Sequence, residues 1–176
     1  MAYTPINLGS VADDLRGDRL RTAGQKLNSN FAEVYASHPR EIVTSSRTYY
    51  VSTSGNDSNT GLTVGSPFLT IQKAVQVATE SLVVYAGLTI TIQLADGTYT
   101  LTAPINLGTR WGNTPSPRNL VFNGNATTPA NVVVTSSTVS LFQVYSGFIT
   151  IQNMELRCTF SSGACVMAER SGRAEI

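Results

Sequence analysis

The chain has little charge, little cysteine and almost no histidine. Charged residues make up 13% of its 176 residues, against roughly 25% in ordinary soluble domains. The 12 Lys and Arg residues nearly balance the 11 Asp and Glu residues. Nucleic acids and anionic membranes attract clustered positive charge, so this balance argues against both as the main partner. His38 is the sole histidine, which excludes histidine-based catalysis and a multi-histidine metal site.

Long apolar runs are also missing. Nothing approaches the ~20 consecutive apolar residues of a bilayer span, so no membrane insertion is predicted. The opening MAYTPINLGS has neither the basic segment nor the apolar core of a secretory signal, which predicts synthesis in a cytoplasm. Cys158 and Cys165 are too few to hold a small scaffold together, and we expect buried free thiols rather than a disulfide.

An amphipathic helix is predicted near the start, within an N-terminal segment of residues 1–36. Asp18 is placed to cap it, because its carboxylate can accept hydrogen bonds from the first turn. Apolar or small residues then recur at steps of four and three, at Leu20, Gly24, Leu27, Phe31 and Val34. This heptad seam would let copies of the helix pack together, closely at Gly24. The alternative is a helix that lies on the β domain of its own chain.

The rest of the chain divides at a polar stretch. Residues 37–48 are predicted to be a linker, and residues 49–87 a turn-rich cap that includes a second helix over 67–82. Ser66 and Pro67 suit the N-cap and first position of that helix, which has one apolar stripe. We expect it to cover the open end of the β structure that follows.

From Leu88 onward short β-branched runs alternate with Gly, Asn, Pro and Ser. Ile92, Leu120 and Ile149 fall at steps of nearly thirty residues, roughly the repeat of a β-solenoid. This pattern predicts a mainly β protein with a right-handed parallel β-helix, whose first coils are residues 88–176. A jelly roll or sandwich is the competing fold. The last residues resume a strand up to Ile176, so we expect the natural chain to continue beyond it.

Two stretches resemble known families. INLGSVADDLRGDRLRTAGQKLNSNFAEVY, residues 6–35, is similar to a segment near the start of many tailed-bacteriophage baseplate and tail adhesin proteins. The similarity rests on Gly17-Asp18, Leu20-Arg21, Ala23, Lys26-Leu27-Asn28, Asn30-Phe31 and Glu33-Val34-Tyr35. YYVSTSGNDSNTGLTVGSPFLTIQKAVQVA together with IQLADGTY resembles the opening of pectate-lyase-like right-handed β-helix domains, which are common in phage tailspikes.

Together these resemblances imply a phage tailspike or tail fibre. Such a protein is a homotrimer that docks onto a tail, baseplate or adaptor protein of the virion and binds bacterial surface polysaccharide. It would be assembled in the cytoplasm of the host bacterium. The resemblance places attachment and oligomerisation on Asp18, Tyr35 and the seam of the first helix.

Catalysis is harder to place. Hydrolysis of a polysaccharide usually needs two carboxylates on either side of the bond. The carboxylates of this region are Asp57, Glu80, Asp96, Glu155, Glu169 and Glu175. Asp57 and Asp96 are expected in turns, Glu80 near the end of the second helix, and Glu155 and Glu169 in outer strands, where charged side chains are mostly solvated. We therefore predict no catalytic residue, no metal and no cofactor here. A capsule or lipopolysaccharide depolymerase with its active site in a missing C-terminal part, or a free bacterial pectate-lyase-like enzyme, are the alternatives.

Arg110 and Trp111 stand in a long insertion, GTRWGNTPSPRN. An exposed indole can stack on a sugar ring, which makes the pair a candidate glycan contact. The simpler interpretation is that Trp111 pins the long loop to the body of the domain.

Overall fold

The computed structural model describes residues 20–37, 41–80, 82–84, 87–108, 118–160 and 164–176. The chain divides into two structural units, with the boundary between Arg40 and Glu41. The described part of the first unit is one helix, α1, Leu20–Ser37. The second unit contains helix α2, Ile71–Glu80, a 3₁₀ turn, Pro129–Asn131, and the strands.

The second unit has eleven strands among the described residues. In chain order they are β1 (Glu41–Val43), β2 (Arg47–Val51), β3 (Leu82–Val84), β4 (Ile90–Leu94), β5 (Gly97–Thr100), β6 (Ile105–Leu107), β7 (Arg118–Asn123), β8 (Val132–Ser136), β9 (Phe142–Gln152), β10 (Glu155–Cys158) and β11 (Val166–Glu175).

Every strand pairing in these ranges is parallel. The largest sheet has six strands, in the order β11-β9-β7-β4-β2, with β6 also paired to β9. A second sheet has the order β10-β8-β5, and β1 pairs with β3. Parallel strands cannot be joined by tight hairpins, so each pairing connects distant parts of the chain.

Alternate residues of the strands supply the core. In β4 Ile90, Ile92 and Leu94 are buried while Thr91 and Gln93 are half-buried. Phe122 of β7 and Phe142 of β9 are fully buried and meet edge to face, with ring centroids 4.9 Å apart. Helix α2 adds one apolar stripe and packs against β2 and β4. Its buried residues are Ile71, Ala74, Val75 and Ala78.

Helix α2 begins at Ile71, four residues later than predicted, because a distant carboxylate caps it. Oδ1 of Asp57 accepts hydrogen bonds of 2.9 Å from the backbone N–H groups of Leu69 and Thr70. Oγ1 of Thr70 then accepts from the N–H of Lys73 at 3.1 Å, as an N-cap does. Phe68 forms an isolated parallel bridge with Val51, so the residues around it are extended rather than helical.

The predicted fold class is wrong. The sequence indicated a mainly β, right-handed parallel β-helix, whereas the described residues form a small α/β domain with parallel sheets and two α-helices. Alternation of apolar and polar residues reports which face of a strand is buried. It does not report how successive strands are connected, so it cannot by itself distinguish a solenoid from a small α/β domain with parallel sheets. The antiparallel pairing of the competing sandwich does not occur in these residues either.

The predicted register of the central strands is correct for one pair and wrong for the other. The sequence placed Ile92, Leu120 and Ile149 in one row; Leu120 does pair with Ile149, but Ile92 pairs with Phe122. A shift of two residues keeps every side chain on the same face of the sheet. The alternation of the sequence therefore could not distinguish the two registers.

The predicted linker contains regular structure. Strand β1 and the start of β2 lie within residues 37–48, and β1 pairs with β3. Arg47 donates hydrogen bonds to the carboxylate of Glu41, 2.7 Å for Nη1 to Oε2, and this pairing lowers the pKa of the Glu41 carboxyl. The Pro-containing, polar composition that suggested a linker is thus compatible with two short strands, each of which pairs in parallel with a strand further along the chain.

The prediction of free thiols is wrong as well, because Cys158 and Cys165 form a disulfide. Cys158 ends β10 and Cys165 immediately precedes β11, and their Cα atoms are 5.7 Å apart. The sequence showed no export signal, which favoured reduced cysteines, but the sheets bring the two positions within bonding distance. The disulfide therefore links the end of β10, in the three-stranded sheet, to the residue before β11, in the six-stranded sheet.

Reduction of this disulfide should lower the free energy of unfolding by roughly 2–3 kcal/mol, because it restores the entropy of a short loop in the unfolded chain. Urea unfolding at one protein concentration, with and without a thiol reductant, measures the change. The Cys158→Ser, Cys165→Ser double variant is the control and should unfold identically in both buffers. Equal stability of the native chain in both buffers would contradict the prediction.

Candidate functional site

The predicted seam of α1 is exposed within the chain. Leu27, Phe31 and Val34 are 44%, 56% and 47% exposed, although all three are large and apolar. Gly24 has open space beside it, since a Cβ built there meets no atom within 4 Å beyond the adjacent residues and the backbone of its own helix. These positions share one face because they are spaced at three and four residues. The structure therefore brings together four of the seven residues predicted for attachment.

The other three cannot be assessed in the same way. Asp18 lies outside the described residues, as do the side chains of Leu20 and Tyr35, whose backbones belong to α1. The predicted glycan contacts Arg110 and Trp111 also lie outside the described residues. The pair therefore stays a prediction.

A second candidate surface lies on the outer face of the large sheet. Parallel pairing aligns Tyr50 with Gln93, Gln93 with Asn123, and Asn123 with Gln152, on strands β2, β4, β7 and β9. We call these four residues the outer row. Their sequence neighbours, such as Ile92, Phe122 and Ile151, face the core. The outer row lies near the carboxyl ends of its strands, the edge at which open α/β sheets commonly bind ligands.

The three amides of the outer row are joined by hydrogen bonds in which each amide donates to the next, and the last one donates to a backbone carbonyl. Nε2 of Gln152 donates to Oδ1 of Asn123 at 3.1 Å, and Nδ2 of Asn123 donates to Oε1 of Gln93 at 2.6 Å. Nε2 of Gln93 donates to the carbonyl oxygen of Gly124 at 2.8 Å. Such a chain of bonds fixes the side-chain rotamers and polarises each amide in turn.

Two backbone features at the strand ends support this network. A Cβ at Gly124 would collide with the carbonyl oxygen of Asn153, so a residue without a side chain is required there. Asn153 has a φ of 60°, a left-handed conformation that asparagine tolerates better than most residues. In that conformation its Nδ2 donates to Oδ1 of Asn123 at 2.7 Å.

The amides keep unused hydrogen-bonding capacity. An amide offers two N–H donors and two acceptor lone pairs on its oxygen. Asn123 uses one N–H and both lone pairs, while Gln152 uses one N–H. Gln152 is exposed, so a ligand or water can bind its unused groups.

An apolar hollow adjoins the outer row at Tyr50. Its volume is about 220 Å³, and its walls include Tyr50, Val64, Pro67 and Gln93. Val64 is 74% exposed. The hollow combines an aromatic ring and aliphatic groups with one amide of the row, which is the mixed character of small-ligand sites.

The carboxylate of Asp96 comes three residues after Gln93 of the outer row. It follows β4 and accepts hydrogen bonds from Nδ2 of Asn125 at 2.8 Å and Nδ2 of Asn131 at 2.9 Å. These two bonds lower the pKa of the Asp96 carboxyl, so it is ionised at neutral pH. Asn125 directly follows Gly124, the acceptor of the Gln93 amide.

Two of the candidate carboxyl groups have structural partners. Asp57 caps α2, and Glu155 pairs with Arg157 at 2.6 Å, which lowers the pKa of the Glu155 carboxyl. A general acid for glycoside cleavage needs a raised pKa.

Within the described part of the chain, no three His, Cys, Asp or Glu side chains come together as a metal site requires. Neither described helix has the length and apolarity needed to cross a bilayer.

The outer row was not identified from the sequence. Gln93 was recognised as outward-facing, but nothing marked it as a partner of Asn123 thirty residues later. The signal that could have found it is the recurrence of Gln or Asn at the end of successive aliphatic strands, in TIQL, VFNG and TIQN.

No protein-family model, curated protein sequence or solved structure matches this chain. The two surfaces must therefore be interpreted from their own chemistry.

Proposed function

We propose that this chain is part of a bacteriophage tail appendage. Its N-terminal helix joins it to two further copies and to a tail, baseplate or adaptor protein of the virion. Its parallel-sheet domain recognises surface polysaccharide of the bacterial host. The protein is assembled in the host cytoplasm and functions in the virion. The resemblance of residues 6–35 to tail-protein segments suggests this function.

The observation that carries the proposal is the exposed seam of α1. Leu27 and Phe31 are about half-exposed in a helix whose remaining residues are mostly polar. Burying such side chains is worth about 1.5–3 kcal/mol each, so a helix with this face gains stability by association. The heptad spacing suits parallel copies of the same helix, and the open space at Gly24 admits a neighbouring backbone.

Threefold assembly also suits adhesion to polysaccharide. A surface polysaccharide presents the same sugar units many times, and a single protein–sugar contact is weak. Three identical sites on one particle convert later binding events into intramolecular ones, which raises the overall affinity without new contacts. The outer face of the large sheet supplies such a site in each chain.

Light scattering coupled to size-exclusion chromatography tests the proposal. The intact protein should have three times the mass of one chain, and this mass should persist on dilution to micromolar concentrations. A stable single chain would contradict both the trimer and the role assigned to the seam. A dimer would contradict the threefold assembly.

A further inference from the structure

The outer face of the large sheet carries no charge over eight adjacent positions. Beside the outer row runs a second register row on the same four strands. The two rows contain Tyr50, Gln93, Asn123 and Gln152, and Thr48, Thr91, Val121 and Thr150. Seven of the eight are half-buried, and Gln152 is exposed. Solvent-facing sheet surfaces ordinarily carry Lys, Arg, Asp or Glu, because these residues belong mainly on the exterior.

The face offers the hydrogen-bonding groups that match hydroxyl groups. Each amide and each threonine hydroxyl can donate as well as accept, as a sugar hydroxyl does. The amides of Gln93 and Asn123 are already held in place by a hydrogen bond between them. Binding of a ligand would therefore cost little side-chain entropy at these two residues. Neighbouring strands lie ~4.8 Å apart, so the outer row spans roughly 14 Å from β2 to β9.

Tyr50 gives the row one aromatic end. Tyr50 lines the apolar hollow together with Val64 and Pro67. An aromatic ring binds the C–H face of a sugar, while its hydroxyl stays available for a hydrogen bond. A ring followed by a line of amides is therefore suited to an extended glycan rather than to a compact molecule.

The charges around the row select among glycans. Gly124 accepts the hydrogen bond from Gln93, and the next residue, Asn125, donates to the ionised carboxylate of Asp96. The network of the row is thus linked to a negative charge, and a sugar acid or phosphate placed along the row would meet no cation among the eight positions. Desolvating an anion without a compensating partner is costly.

From this geometry we infer that the outer row, Tyr50–Gln93–Asn123–Gln152, binds an uncharged polysaccharide segment that lies across strands β2, β4, β7 and β9. The inference rests on the proposed function and narrows it to one face and one class of glycan. Tyr50 stacks on one sugar ring, and the remaining N–H of Asn123 and the free groups of Gln152 hydrogen-bond to hydroxyl groups of sugar units further along the segment.

A glycan array of bacterial surface polysaccharides, both uncharged and anionic, tests this assignment with the intact protein. The native protein should bind uncharged glycans. Loss of the stacking ring in Tyr50→Ala, or of the exposed amide in Gln152→Ala, should weaken binding about tenfold each, the effect of one such contact. Asn123→Ala removes the centre of the network and should weaken binding by more than tenfold. Asn106→Ala removes an exposed amide on β6 and is the matched control, with unchanged binding.

The outcomes separate this inference from the proposed function. Glycan binding that survives Tyr50→Ala and Gln152→Ala, in variants with native thermal unfolding, would overturn the assignment but not polysaccharide recognition. Binding to anionic glycans alone would overturn the uncharged class. Absence of binding to every glycan would overturn both proposals. A changed oligomeric mass in Tyr50→Ala would show instead that this face joins subunits, which also overturns the assignment.

Discussion

Phe31→Asp is expected to convert the trimer into single chains. Phe31 is the most exposed of the apolar seam residues, at 56%. Burial of one phenylalanine is worth about 1.5–3 kcal/mol, so a trimer loses roughly 5–9 kcal/mol when all three are replaced. Three carboxylates brought together around one axis add repulsion. A loss of that size corresponds to more than a thousandfold in the association constant.

Light scattering over a range of protein concentrations measures this effect. Ser29→Asp is the matched control, because Ser29 is exposed on the same helix but faces away from the seam. It introduces the same charge and should leave the trimer intact. A trimeric mass for Phe31→Asp would show that the seam is not the contact between copies. Dissociation of both variants would show that helix charge, and not the seam, controls the assembly.

Phe122→Ala should cause the largest loss of stability in the sheet domain, about 3–5 kcal/mol in the free energy of unfolding. Phe122 is fully buried on the central strand β7, between β4 and β9. Its ring meets that of Phe142 edge to face at 4.9 Å. Truncation removes this contact and leaves a cavity under the middle of the sheet, where strands paired on both sides cannot easily move inward.

Urea unfolding followed by circular dichroism, at a fixed protein concentration, measures the loss. Phe148→Ala is the control for the same change of residue on β9. Phe148 is only half-buried, and its ring lies 5.8 Å from the guanidinium carbon of Arg173. Its truncation should cost about 1 kcal/mol, the scale of an exposed cation–π contact. Equal losses in the two variants would contradict the placement of Phe122 at the centre of the core.

The sequence contained enough information for the helices and the buried faces, but not for their arrangement. Steps of three and four predicted α1, and the alternation of Ile90, Ile92 and Leu94 predicted a strand with one buried face. The start of α2 was misplaced because its cap, Asp57, lies thirteen residues before Thr70 and contacts it only after folding. The disulfide was missed because two cysteines in a sequence with no export signal favoured free thiols.

The outer row illustrates the limit most clearly. Alternation fixes the face on which Gln93 and Asn123 lie. Their register depends instead on how two strands that are thirty residues apart in the sequence are aligned with each other. A shift of two residues would align Gln93 with Val121 instead and destroy the line of amides, without changing any buried side chain. Long-range register is a tertiary property, so the candidate site could be found only in the structure.

The exclusively parallel pairing of the described strands has a consequence for how the chain acquires its structure. The partner of each strand lies roughly 20 to 40 residues further along, so little of the sheet can form from local contacts, and such topologies fold slowly. During synthesis β2 leaves the ribosome before its partner β4 has been made, and β4 leaves before its partner β7. The nascent domain therefore exposes unpaired strand edges until the next segment arrives, and its assembly proceeds in the order of translation.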